Sequence, residues 1–150
     1  MFLYDEPMTK SLSPSVELAW IELNRAQQAV LASVEADLKV GGFPPLIWYD
    51  LLLELKKSGK GGLRPKQLQQ RMLLAQYNVS RLADRLALAG YLNKNICDED
   101  GRGFRLTLTK DGRRLLQRMW PVYARALRRH MGDKLTDAQA ASLAGLLKNL

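Results

Sequence analysis

Residues 76–109 read QYNVSRLADRLALAGYLNKNICDEDGRGFRLTLT, and the rest of the chain is arranged around them. Val79, Leu82, Ala83 and Leu86 fall at i, i+3, i+4 and i+7, which makes one apolar helical face. Asn78, Arg81 and Arg85 lie together on the opposite side, with Gln76, Tyr77 and Ser80 near the helix start. Leu73, Leu74 and Ala75 offer no Ser, Thr or Asp cap, so the first helical residue stays open by a position or two. Gly90 suits a left-handed helix cap. Residues 91–96 and 104–108 are strand-like, and the charged, glycine-broken segment Asp98-Glu99-Asp100-Gly101-Arg102-Gly103 between them reads as a turn. Thr109, followed by Lys110-Asp111-Gly112, reads as the N-cap of another helix.

Working outward, Pro65 starts a helix carrying Leu68, Met72 and Leu73, and Leu63 and Arg64 read as a short connection before it. Ser13 and Pro14 start a first helix whose apolar residues, among them Val16, Leu18, Trp20, Leu23, Val34 and Leu38, spread too widely for one buried stripe. Gly41-Gly42 stops it, and Pro44-Pro45 begins a second helix that Ser58-Gly59-Lys60-Gly61-Gly62 breaks. Those glycines do not supply the G-x-x-x-x-G-K-[ST] pattern of a phosphate loop. Downstream, a helix over 110–130 contains Pro121, which is expected to kink or break it. A last helix follows Thr136 and carries Ala140, Leu143, Leu146, Leu147 and Leu150. The pattern predicts a mainly α chain of six helices with one small β element. We divide it into an arm and helix over 1–42, a central unit over 43–110 and C-terminal helices over 111–150, all within one continuous domain.

The chain has 150 residues, enough for a core without disulfides or a structural metal. One cysteine and one histidine argue against a disulfide framework and a His/Cys metal site. No apolar run approaches a bilayer span, and Asp5 and Glu6 stand where a signal peptide carries bases, so a cytoplasmic protein is expected. The net charge is +8. Residues 1–60 hold 6 Lys/Arg against 8 Asp/Glu, residues 61–132 hold 15 against 5, and residues 133–150 hold 2 against 2. The whole excess therefore lies in the middle segment. That is the footprint of a polyanion binder, although a solvated basic face gives the same count.

A helix, a turn and a second helix with a polar outer face is the helix-turn-helix plan, in which the second helix meets base edges in the major groove. Gln76, Asn78 and Arg81 have the bidentate chemistry that reads those edges. Tyr77, Ser80 and Lys66 suit phosphates, and Arg85 shares the outer face. Arg102, at the tip of a thin hairpin, suits a narrow minor groove, with Arg105 supporting it from the strand. The structural alternatives are that Arg85 pairs with a neighbouring acid and that Arg102 merely solubilises a turn.

The order of these elements resembles the MarR family of winged-helix transcription regulators. The residues that carry the resemblance are Leu68-x-x-Arg71-Met72, Val79-Ser80-Arg81-Leu82-x-Asp84-Arg85-Leu86, Ala89-Gly90-Tyr91-Leu92, Asp100-Gly101-Arg102 and Leu106-Thr107-Leu108-Thr109-Lys110-Asp111-Gly112. The last is similar to the family's LTxxG signature. The resemblance implies a winged helix-turn-helix fold in a homodimer intertwined through its N- and C-terminal helices. It also implies a repressor that binds a palindromic operator on double-stranded DNA and is released by a small aromatic or phenolic effector. By position Trp20, Trp48 and Tyr49 are the effector candidates, with core packing as the competing role. No cofactor, metal or membrane partner is implied.

Two other functions compete. One is a winged helix that docks an acidic protein, against which the polar outer face of the helix argues. The other is a redox-responsive regulator using Cys97, but that residue lies in the wing rather than near the N-terminus. Asp98, Glu99 and Asp100 follow it directly and disfavour a thiolate. For an enzyme, no nucleophile–base arrangement is visible.

Overall fold

The computed structural model describes residues 11–74, 78–96 and 103–150. Its elements are α1 (Pro14–Val40), α2 (Leu46–Ser58), α3 (Pro65–Arg71), α4 (Val79–Leu88), β1 (Leu92–Ile96), β2 (Phe104–Leu108), α5 (Lys110–His130) and α6 (Asp137–Leu147). Single 3-10 turns occupy Gly59–Gly61 and Gly132–Lys134. Six helices and a two-stranded antiparallel sheet are the architecture expected from the sequence.

The helix starts follow from local chemistry. Ser13 Oγ accepts from Ser15 N at 3.1 Å ahead of Pro14, whose missing N–H costs nothing in the first turn. At α6, Thr136 Oγ1 accepts from Gln139 N at 3.1 Å while Gln139 Oε1 accepts from Thr136 N at 3.0 Å, a reciprocal capping box.

The core sits around α2. Leu46, Tyr49, Leu51, Leu52 and Leu55 are buried there and pack with Leu38 of α1, Leu68 of α3, Leu86 of α4 and Leu115, Leu116 and Met119 of α5. Each fully buried leucine contributes roughly 1.5–3 kcal/mol of burial free energy. Only Val34 and Leu38 of α1 are buried, and α6 has no buried residue. His130 Nε2 lies 2.9 Å from Asp37 Oδ2, joining the end of α5 to α1.

Two expectations need correction. Of the kink or break expected at Pro121, the break is absent: α5 runs through it uninterrupted. Pro121 and Gln117 are both exposed, so the carbonyl that proline leaves without a donor faces water. Residues 63 and 64 are also more than a connection. Leu63 forms a β-bridge with Leu106, through Leu63 N to Leu106 O at 3.0 Å and Leu106 N to Leu63 O at 2.8 Å. Gly62 permits this approach, because its φ is +68° and an added Cβ would lie 2.2 Å from Leu106 O.

β1 and β2 pair from Leu92↔Leu108 to Ile96↔Phe104. Leu92 and Leu106 point into the core, so the hairpin is anchored at its base. The turn segment 97–102, which includes Cys97 and Arg102, lies outside the described residues, as do Gln76 and Tyr77.

Candidate nucleic-acid interface

The start of α4 is settled by Asn78. Its side-chain oxygen accepts from Arg81 N at 2.9 Å, which makes it the N-cap and Val79 the first helical residue. Bidentate recognition of adenine needs both the oxygen and the nitrogen of an amide. While it caps the helix, Asn78 spends one of the two lone pairs of its side-chain oxygen on Arg81 N. At the other end the Gly90 φ of +87° closes the helix, with Tyr91 N donating to Leu86 O and Gly90 N to Ala87 O, each at 3.0 Å.

Val79, Leu82, Ala83 and Leu86 are buried, so the opposite side of α4 faces outward. Ser80, Arg81 and Arg85 are all exposed on it. Neither arginine has an ion-pair partner among the described residues, and the acid that could have taken Arg85, Asp84, is paired with Lys94 of β1 instead. Lys94 also lies over the Phe104 ring, 4.6 Å from its centroid. One lysine thus neutralises the carboxylate on the outward face of α4 and ties that helix to the hairpin. Both partners are partly exposed, so the tie contributes at most about 1 kcal/mol. Lys66 is exposed in the first turn of α3, and Arg105 is half-buried on β2 opposite Asn95.

The junction after the hairpin is tightly built. Thr109 Oγ1 accepts from Gly112 N at 3.0 Å and donates to Gly90 O at 2.7 Å, and Thr109 N donates to Tyr91 O at 3.2 Å. One threonine therefore caps α5 and fastens it to the C-terminal end of α4. A Cβ on Gly112 would lie 2.1 Å from Tyr91 O.

The three aromatic candidates do not come together. Trp20 is 66% exposed on α1, and Trp48 meets Tyr91 edge-on with centroids 6.1 Å apart. Tyr49 alone lines a cavity of about 300 Å³, together with Asp50, Arg71, Leu73, Leu74 and Tyr123. Its neighbours are two residues not singled out for this role: Tyr123, edge-on at 5.2 Å, and Trp120, stacked at 6.4 Å. Their i, i+3 spacing on α5 was the available signal. Burial pushes both tyrosine hydroxyls above their ordinary value of 10.0; Tyr123 adds to the shift at Tyr49, and the Asp50 carboxylate adds to that at Tyr123.

Charge divides differently from the segment count. Seven of the fifteen basic residues of 61–132 lie on α5, namely Lys110, Arg113, Arg114, Arg118, Arg125, Arg128 and Arg129. The helix-turn-helix and hairpin share the other eight. Among the described residues, no helix is long and apolar enough to cross a membrane.

Two successive helices, the second with an outward polar face, and a β-hairpin packed beside it define a winged helix-turn-helix protein. Residues 42–103 match the model of the MarR family. Across nearly the whole chain the fold is that of solved MarR-family regulators. Sco3205 from Streptomyces coelicolor, a MarR family transcriptional regulator solved in complex with DNA, is similar at 27% identity and a TM-score of 0.82, over 97% of this chain and 89% of that one. BpsR of Bordetella bronchiseptica, whose DNA binding is regulated by 6-hydroxynicotinic acid, shares the fold at 22% identity and a TM-score of 0.73, over 96% of each chain. The organohalide-sensing regulator RdhR-CbdbA1625, in its 2,4-dichlorophenol-bound form, shares it at 17% identity and a TM-score of 0.77, over 99% of this chain and 86% of that one. No curated protein matches the sequence. By the match over residues 42–103 and by its fold, the chain is similar to MarR-family transcriptional regulators.

Proposed function

We propose that the protein is a non-enzymatic repressor that binds a palindromic operator on double-stranded DNA as a homodimer, with residues 43–110 as its DNA-binding region. The observation that carries this reading is the outward face of α4, where Arg81 and Arg85 are exposed beside Ser80 and have no ion-pair partner among the described residues. Arg81 reads a base edge; Ser80, Arg85 and Lys66 hold phosphates; Arg105 supports the wing. Gln76, Tyr77 and Arg102 complete the set as sequence-based candidates outside the described residues.

The homodimer is supported by apolar surface that one chain leaves bare. Leu12, Val16, Leu18 and Trp20 around α1 and Leu146, Leu147 and Leu150 at the C-terminus are exposed, and an isolated helix of 11 residues is marginal in water. Packing two copies through α1 and α6 covers both surfaces. A two-fold dimer then sets its two α4 helices on half-sites about one turn, roughly 34 Å, apart.

In vitro selection from random duplex tests this. The expected product is an inverted repeat, bound by the wild type in preference to random duplex. Arg81→Ala should weaken binding to the repeat by about 1–3 kcal/mol while changing random-duplex affinity little. Enrichment of no sequence would overturn the operator reading, and equal loss on both duplexes would make Arg81 a phosphate contact.

The cavity beside Tyr49 and Tyr123 supports a small aromatic effector. Its volume of about 300 Å³ and its aromatic walls suit a single-ring compound, with Arg71 at hand for an acidic substituent. 2,4-Dichlorophenol and 6-hydroxynicotinic acid are the first probes. Release of operator by either, lost in Tyr123→Ala, supports this assignment, and release that survives the substitution removes it.

A further inference from the structure

Asp50 is the one buried acid among the described residues, at 6% exposure. Its carboxylate stands in the core of the helix-turn-helix unit, on α2, and both of its oxygens are used. Leu73 N donates to Oδ1 at 3.0 Å and Leu74 N donates to Oδ2 at 2.6 Å. A carboxylate is tolerated at such a place because charge-assisted hydrogen bonds replace its water.

What it holds is the exit from α3. The helix ends at Arg71, and Met72 is already extended, with φ −61° and ψ 141°. Met72 N still returns to Leu68 O at 2.9 Å, but the next two N–H groups have left the helical ladder and are received by Asp50. Side-chain burial does not hold Leu73, whose surface is 77% exposed. From Leu74 only residues 75–77 separate this point from Asn78, the cap of α4.

We propose that Asp50 is the positioning residue of the recognition helix: by clamping the Leu73 and Leu74 N–H groups to α2, it fixes where the chain leaves α3 and thereby the pose in which α4 meets DNA. Asp50 itself touches no DNA. Asp50, Leu73 and Leu74 are also walls of the aromatic cavity, so an occupant of that cavity contacts the clamp directly. Without the clamp the DNA-reading pose becomes one of several, and sequence-specific affinity falls in proportion to its remaining population. Phosphate binding, which needs only positive charge nearby, is spared.

The inference rests on the reading of α4 as the DNA-facing helix, and the test separates the two. Asp50→Asn keeps the volume but turns one acceptor into a donor that faces an N–H. Asp50→Leu removes the clamp together with the buried charge, a replacement that buried ions often tolerate, and carries the test if the amide variant folds poorly. Amide hydrogen exchange of the full-length protein without DNA should show faster exchange at Leu73, Leu74 and the first turn of α4, with β1 and β2 unchanged. On DNA, the ratio of operator to random-duplex affinity should fall about tenfold or more, the scale of one lost charge-assisted bond. Random-duplex affinity itself should stay within about twofold of wild type. Unchanged protection at Leu73 and Leu74, or an unchanged affinity ratio in folded variants, overturns the inference. If the wild type selects no sequence, the α4 reading fails, and the exchange result alone decides whether Asp50 is the clamp.

Discussion

Replacing Gly112 with alanine should destabilise the folded chain by about 3 kcal/mol, against the sign that helix propensity alone requires. Alanine in place of glycine inside a helix ordinarily gains up to about 1 kcal/mol. Here Gly112 is in the first turn of α5, and an added Cβ would stand 2.1 Å from Tyr91 O and 2.6 Å from Leu108 Cδ1. To reach ordinary contact the helix must retreat by about 1 Å from the connection after α4. Retreat stretches Thr109 N to Tyr91 O, now 3.2 Å, and Thr109 Oγ1 to Gly90 O, now 2.7 Å. Losing these costs about 1 kcal/mol each, and overpacking adds about 1–3 kcal/mol, of which the propensity gain offsets at most a third. For a chain of this size the melting temperature should fall by roughly 6–12 °C. Thermal unfolding of both proteins at one concentration measures it, since association also stabilises. A variant that melts at or above the wild-type temperature would refute the reasoning and leave the LTxxG glycine without its steric explanation.

Three further outcomes are expected. The double substitution Leu146→Arg, Leu147→Arg should give a monomer in sedimentation at micromolar concentration, because no residue of α6 is buried against the described part of its own chain; a persisting dimer would move the interface elsewhere. With about six to ten phosphates neutralised, operator affinity should drop roughly 10³- to 10⁵-fold between 50 and 200 mM salt. Arg85→Ala should make the log–log slope shallower by about one, and an unchanged slope would remove Arg85 from the phosphate contacts. Tyr49 and Tyr123 should ionise later than free tyrosine in an absorbance titration, and Tyr123→Phe should delete one late step. Between the unfolded value near 10 and the raised folded values the native state holds more protons, so stability falls as pH rises above about 10 and is unaffected below it. A titration in which every tyrosine ionises at the ordinary value would contradict the buried pair.

Much of the fold was legible because its punctuation is local. Ser13, Thr109 and Thr136 announce helices by accepting N–H groups two or three residues away, and Gly90 ends one by its own backbone angle, so none depends on distant chain. What stayed hidden depends on long-range approach. Leu63 meets Leu106 across 43 positions, and Asp50 meets Leu73 across 23, with no periodicity to mark either pairing. The cavity was half visible: Tyr49 was a candidate by position, but nothing singled out Tyr123, because an apolar stripe on α5 does not say which of its members borders empty space.

Charge was the least local quantity, and it ranks the competing functions differently once placed. The excess over 61–132 includes seven basic residues on α5, and their presence says little about α4. A docking site for an acidic protein would be served by net charge anywhere on the surface. Base reading requires instead a particular guanidinium left unpaired on an outward helix face. Among the described residues Arg81 and Arg85 meet that requirement, because the one acid on α4 is already neutralised by Lys94. Exchanging Lys94 for methionine would free Asp84 to compete for them. Sequence-specific DNA affinity should then fall although the chain loses only one of its 23 basic side chains, and a protein-docking surface would register little beyond that single charge.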